Sequence, residues 1–261
     1  MCGRFSLKLQ PNELAELFSL KVPEKISTSW PPSDIFTPGS AILGITSDQT
    51  GNRRLSYYRW GFTPSWIGNK NISGLIFNTR SETIQSKSSF RPAFFSRRAL
   101  IPADGFFEWG YVMDPSLIDE ISEEVMFDFG YKAPKKRSKS RGRAKKAFLI
   151  SRNDGMTFAL AAIFDITYIP DDTSGNRTEL SLKNYAEPRP ERGGQFLYSC
   201  SIITTEANAD IAHIHHRQPV IIEKGDWQDW LSPNSSPQEL AKLLECSPIG
   251  TLGSDPFPTG S

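Results

Sequence analysis

The sequence predicts a mainly antiparallel α+β domain, and two observations carry that prediction. Five short runs, LSYYRWG, FFEWGY, AFLIS, TFALAAIF and LYSCSIIT, are rich in β-branched and aromatic residues and are bounded by Gly, Pro, Asn or Ser, as strands are. They also follow one another without regularly interleaved helices, which disfavours a doubly wound parallel sheet.

In chain order, PNELAELF (residues 11–18) spaces Leu14, Leu17 and Phe18 along one helical face. The strand runs fill the middle of the protein. DWQDWL (226–231) predicts one helical turn, and SPQELAKLLE (236–245) predicts a short peripheral helix with Ser as N-cap, Pro at N1 and Glu at N3. The closing GTLGSDPFPTGS has no strand pattern. Residues 112–146 and 171–195 are polar, aperiodic and longer than ordinary connections. They are expected to be mobile excursions from one domain spanning residues 1–261.

A chain of 261 residues can bury a sizeable core. No apolar run approaches the roughly 20 residues that span a bilayer, and the first residues lack a secretory pattern, so no membrane role is expected. The three cysteines, Cys2, Cys200 and Cys246, are odd in number and widely separated, which points to reduced thiols rather than a disulfide framework or a zinc ribbon. The net charge of +1 hides an acid-rich stretch at 114–128 followed by the basic KAPKKRSKSRGRAKK at 132–146. That tract reads as a nuclear localisation signal or a second nucleic-acid tether, with a solvated charge run as the alternative; the expected location is the nucleus in a eukaryote and the cytoplasm otherwise.

Chemistry is concentrated in four stretches: MCGR, FNTRSET (77–83), IPADGFFEWG (101–110) and HIHHRQPVII (213–222). Removal of Met1 would leave Cys2 as an N-terminal 1,2-aminothiol. Such a group condenses with an aldehyde: the amine forms an imine with loss of water, and the sulfur then closes a thiazolidine ring. An α-amine with a pKa of about 7.7 to 8.0 is already partly neutral at pH 7, so orientation and proton transfer are expected to matter more than activation of the nucleophile.

The order of MCGR, RWGFTPSW (59–66), FNTRSET, ADGFFEW, TTEAN (204–208) and IHHRQP resembles the SOS-response-associated peptidase (SRAP) family, over roughly residues 2–231 with two interruptions. The resemblance implies a curved, mainly antiparallel sheet core. It also implies covalent capture of abasic sites in single-stranded DNA, with no cofactor. Carried over by position, it makes Cys2 the crosslinking residue, with Asn78, Glu108 and His215 beside it. Glu108, among aromatic residues, would protonate the hydroxyl lost during imine formation, and His215 would assist sugar ring opening. His213 and His216 compete with His215 on the residues alone, and HxHH could instead belong to a metal site, although no Cys or acidic partner lies nearby. Asn78 can donate and accept at once, and in an extended segment Asn78, Arg80 and Glu82 would share one face. Gln218 stands where the family usually has Met.

Single-stranded DNA needs phosphate contacts and flat side chains. Arg4, Arg80 and Arg217 lie close in sequence to the proposed catalytic residues, with Arg217 implied as a phosphate contact. RWGFTPSW supplies Trp60, Phe62 and Trp66. Trp66 is the expected stacking residue, whereas Trp60 reads as core. Arg53, Arg54, Arg91, Arg97 and Arg98 are candidates to extend the patch. A monomer is expected. Two other functions fit the same residues: a cysteine autopeptidase or peptidase, and a non-catalytic single-strand-binding module.

Overall fold

The computed structural model describes residues 2–24, 26, 35–67, 75–112, 144–170, 186–188 and 194–257. Its strands are β1 (Phe5–Ser6), β2 (Ala41–Ser47), β3 (Arg53–Trp60), β4 (Asn78–Arg80), β5 (Arg98–Ala103), β6 (Gly105–Val112), β7 (Ala144–Arg152), β8 (Phe158–Pro170), β9 (Ala186–Pro188), β10 (Gly194–Glu206), β11 (Arg217–Pro219), β12 (Ile221–Ile222) and β13 (Leu252–Pro256). The short helices are α1 (Pro11–Phe18), α2 (Ser81–Ile84), α3 (Arg91–Ser96), α4 (Trp227–Leu231) and α5 (Pro237–Lys242).

All five strand-like runs of the sequence lie in strands. In the larger sheet, β10, β3, β2, β5 and β8 pair in that order, and β8 pairs back with β10, closing a five-stranded barrel. Most pairings are antiparallel, but β10 runs parallel to β3 and to β4. A barrel this narrow has room inside only for side chains, which suits the fully buried Ala99, Ala103, Ala159, Ala161 and Ala162. TFALAAIF is buried on both faces, which is why it reads as a continuous apolar run rather than an alternating one. The second sheet has the order β1, β6, β7, β13.

The helices form where local signals ask for them. The Gln10 backbone N–H donates to Glu13 at the start of α1, and at α5 Ser236 and Glu239 cap each other reciprocally. Leu14 and Phe18 are the buried face of α1, with Phe18 stacked on Trp227 of α4 at 4.2 Å.

Four expectations change. The C-terminal segment does form a strand: β13 pairs with β7 from Leu252 opposite Arg152 to Pro256 opposite Phe148. It is an edge strand only five residues long, and its Gly, Ser, Asp and Pro hide the alternation that would betray it. In the second polar excursion, β9 pairs with β10, and β8 and β10 reach to Pro170 and Gly194. Most of both excursions, and residues 132–143 of the basic tract, lie outside the described residues; Ala144, Lys145 and Lys146 open β7.

The third change concerns Phe62, which is buried with an edge-on contact to Phe90 rather than facing DNA. Trp60 is buried as expected, its Nε1–H donating to the Phe77 carbonyl at 2.9 Å. The fourth is Arg98, which is not a surface residue. Its guanidinium is buried and donates to the carbonyls of Trp230 and Phe94, both at 2.7 Å, and of Ser232, tying α3 and α4 to β5. Burial pulls its pKa down to about 10, which leaves it charged at neutral pH. Arg98→Ala leaves three carbonyls without their donor, so it is expected to cost about 3 kcal/mol in urea unfolding. Of the other arginines, Arg54 pairs with Asp48, Arg97 with Asp165, and Arg53 donates to the Phe18 carbonyl.

Candidate active site

The N-terminal strand brings Cys2 to its place. Phe5 pairs with Phe106, and the Phe107 N–H donates to the Arg4 carbonyl at 3.0 Å, so residues 2–4 run back along β6 toward Glu108. Phe5 also stacks on Phe36 and tilts against Trp60, which fixes that strand to the barrel. Cys2 is fully buried. Its S–H points to the Arg4 carbonyl at 3.4 Å, and the Asn78 Nδ2–H donates to the Cys2 carbonyl at 2.8 Å.

Asn78 opens β4, whose parallel pairing to β10 sets Asn78 opposite Ile202. The Asn78 Oδ1 is buried without a protein partner, so half of the carboxamide remains available to accept. The extended path ends at Arg80. Ser81 begins α2, so Glu82 does not continue the face of Asn78 and Arg80 as an extended segment would require. Instead its carboxylate turns to Arg217.

Glu108 lies in β6 and is only 3% exposed. Burial raises its carboxyl above the usual carboxylate range. Burial, and then the charge of Glu108, likewise push the Cys2 thiol far up, so the thiol in this buried setting is a proton holder rather than a thiolate. His215 Nδ1 is 3.8 Å from Glu108 Oε1. That same Nδ1 meets both the backbone N–H of Arg217, at 3.0 Å, and the Arg217 carbonyl, at 3.1 Å, so the Arg217 backbone holds the ring in place in either tautomer. Burial lowers the His215 pKa, so the ring is neutral near pH 7.

The loop before His215 packs tightly on β6. A side chain at Gly110 would meet Phe148 at 3.0 Å and Ile214 at 3.1 Å, so the absence of a Cβ lets the histidine segment come this close to Glu108. His213 and His216 are exposed, with His216 stacked on His215 at 4.5 Å, and His215 is the one of the three that lies beside Glu108. Among the described residues no group of three or more His, Cys, Asp or Glu could hold a metal ion.

The DNA-facing candidates divide. Trp66 is 65% exposed on a 3-10 turn (Ser65–Ile67), and Arg80 is exposed beside the site. Arg4 is half-buried. Arg217 is buried, and its guanidinium grips both oxygens of Glu82 and donates to the Thr204 carbonyl at 2.6 Å. The expected phosphate contact is therefore committed to an ion pair that ties α2 to β10 and β11. Sequence reasoning noted Glu82 but not this partnership, and it missed Gly110, Asn208 and Asp210. Gly110 closed IPADGFFEWG and Asn208 closed TTEAN, whereas Asp210 carried no local signal.

Cys2, Asn78, Glu108 and His215 come from four separate stretches of the chain, and the fold gathers them into one corner. The chain belongs to the SOS response associated peptidase (SRAP) family, which it matches over residues 1–256. It is similar to the abasic site processing protein YoqW of Bacillus subtilis (strain 168), 31% identical over 248 residues that cover 94% of this chain and 87% of that protein. It is also similar to the abasic site processing protein HMCES of Pongo abelii, 27% identical with 94% and 68% covered. A crystal structure from Bacteroides thetaiotaomicron shares the fold with a TM-score of 0.67 at 19% identity, covering 98% of this chain and 92% of that one. A second, from Bordetella bronchiseptica, does so with a TM-score of 0.63 at 17% identity, covering 99% and 100%.

Proposed function

We propose that this protein recognises abasic sites in single-stranded DNA and captures them covalently through Cys2 as part of a DNA-damage response. The observation that carries this reading is the gathering of a buried thiol, a carboxyl of raised pKa, a neutral imidazole and a half-satisfied carboxamide in one corner. The similarity to abasic site processing proteins supplies the substrate class.

The steps follow from the groups present. The neutral His215 imidazole takes the proton of the anomeric hydroxyl and, as imidazolium, returns one to the ring oxygen as the C–O bond breaks and the sugar opens to the aldehyde. The Cys2 amine, exposed once Met1 is removed, adds to the aldehyde carbon. Glu108, in its protonated form, gives a proton to the hydroxyl that leaves as water and takes one back from the nitrogen as the imine forms. The Cys2 sulfur then bonds to the imine carbon, and its proton passes to nitrogen, closing the thiazolidine. Asn78 holds the Cys2 carbonyl through Nδ2 and offers Oδ1 to the sugar. Met1 lies outside the described residues; we assign its release to the same site, acting as an autopeptidase. Intact mass of wild-type and Glu108→Gln proteins tests that assignment, because retention of Met1 only in the variant supports it and equal processing overturns it.

A denaturing gel tests the main reading. Wild-type protein with a strand carrying one abasic site should give a band that survives denaturation, and an intact strand should give none. Failure of the abasic strand to give that band, from protein shown by mass to lack Met1, removes covalent capture and leaves a non-catalytic single-strand-binding module.

Trp66 and Arg80 form the strand-binding rim. Trp66→Ala is expected to weaken single-strand binding by about 1 to 3 kcal/mol in fluorescence anisotropy while leaving the melting temperature unchanged, because an exposed stacking residue contributes to binding and not to the core. Arg80→Ala should lower the slope of log affinity against log salt by about one.

A further inference from the structure

We propose that Asp210 and Asn208 are positioning residues for His215: they clasp the loop that carries the imidazole to the C-terminal residues 247–252. This inference rests on the covalent-capture reading and names what holds its proton donor in place.

The clasp is built from side chain to backbone. Both Asp210 carboxylate oxygens accept the Gly250 N–H, at 2.9 and 3.0 Å, and Oδ2 also accepts the Leu252 N–H at 3.1 Å. Asn208 is buried, and its Nδ2 donates to Asp210 at 3.0 Å, to the Ser247 carbonyl at 3.1 Å and to the Pro248 carbonyl at 3.3 Å. The Asn208 N–H donates to Oε1 of Gln218 at 3.0 Å, so the glutamine in the family's usual Met position fastens the same residue from the other side.

From Asn208 the path to His215 is short and continuous. The Asn208 carbonyl accepts the N–H groups of Ile211 and Ala212, and the Ile211 carbonyl accepts those of Ile214 and His215. The far end is tied where the Ala207 N–H donates to the His216 carbonyl at 3.1 Å. The loop is thus a closed turn with two anchors, Gly110 packing on one side and the clasp on the other. The clasp also joins β13 to this loop, through the Leu252 N–H. Loosening it moves Nε2 relative to Glu108 and Cys2, and displacements of about an ångström can cost orders of magnitude in rate.

The test compares Asp210→Ala, Asp210→Asn, His215→Ala and the Asp210→Ala/His215→Ala double variant by capture of an abasic oligonucleotide. Asp210→Ala is expected to lower the saturated capture rate about tenfold with the half-saturating DNA concentration unchanged. Asp210→Asn, which keeps one acceptor oxygen, should recover part of the rate. In the His215→Ala background Asp210→Ala should add nothing, as two residues acting through one group are not additive. Independent, additive losses overturn the proposal, as does a lowered melting temperature with a full rate. Should Asp210→Ala fail to fold, Asp210→Asn carries the same comparison.

The 15N spectrum of His215 in DNA-free protein gives a second readout. Wild type should show a single ring tautomer, and Asp210→Ala an averaged or doubled one; an unchanged spectrum overturns the clasp. Because this spectrum needs no DNA, absence of capture by wild type would count against the capture reading alone.

Discussion

Cys2→Ala protein is expected to bind abasic single-stranded DNA with near wild-type affinity and to form no adduct that survives denaturation. The sulfur supplies the bond that turns a reversible imine into a ring; of the other two cysteines, Cys200 is buried in β10 and Cys246 is exposed. The N-terminal amine of the Cys2→Ala variant can still form an imine, so borohydride should restore a covalent band by reducing that imine. A borohydride-dependent band separates loss of the thiol from loss of the site. Persistence of a stable adduct without borohydride would show that a different residue carries the chemistry. Because Cys2 is fully buried among core residues, the serine variant is the weaker choice, since it places an unpaired hydroxyl where a thiol packs.

Glu108→Gln is expected to lose capture rate and gain stability together. General acid catalysis is typically worth about 100-fold or more, so the rate at pH 7 should fall by that order. The stability change has the opposite sign. A carboxyl whose pKa is raised in the folded protein binds its proton more tightly there than in the unfolded chain. Its contribution is therefore fully present below the ordinary value of 4.5 and is lost as pH rises through the raised folded value. Above that window the buried carboxylate is a cost that glutamine does not carry. Thermal melts should show Glu108→Gln at or below wild type under acid conditions and above it at neutral pH. A variant less stable at both ends would mean that the carboxylate is held by favourable partners and that burial does not dominate. The capture rate of wild type should also decline as pH rises above the Glu108 pKa, and this decline should vanish in Glu108→Gln.

Much of the fold was legible because the signals are local. The alternating or continuous apolar runs of LSYYRWG, FFEWGY, AFLIS, TFALAAIF and LYSCSIIT report backbone pairing within a few residues, and the Ser236 and Glu239 cap is written in four consecutive positions. Closure of the barrel was not legible, since β10 pairs in parallel with β3 and antiparallel with β8 from opposite sides, and nothing in a strand's own sequence names its neighbours. The β13 strand escaped because an edge strand needs no continuous apolar face, and its polar residues read as a tail.

The sequence by itself determined the composition of the site: a thiol behind Met1, an asparagine, a glutamate among aromatic residues and a cluster of three histidines, in an order that resembles one family. Tertiary structure decided which histidine lies beside Glu108, because His215 is drawn under Gly110 toward it while His213 and His216 stay in solvent. It also decided the fate of the arginines. Arg98 and Arg217 look like surface cations in the sequence, yet one ties together three carbonyls in the interior and the other is gripped by Glu82 from 135 residues away. The physical reason is common to these cases. A residue's type fixes which bonds it can make, whereas burial and partner choice depend on groups brought together by chain segments distant in sequence, and these set its pKa, its tautomer and its exposure.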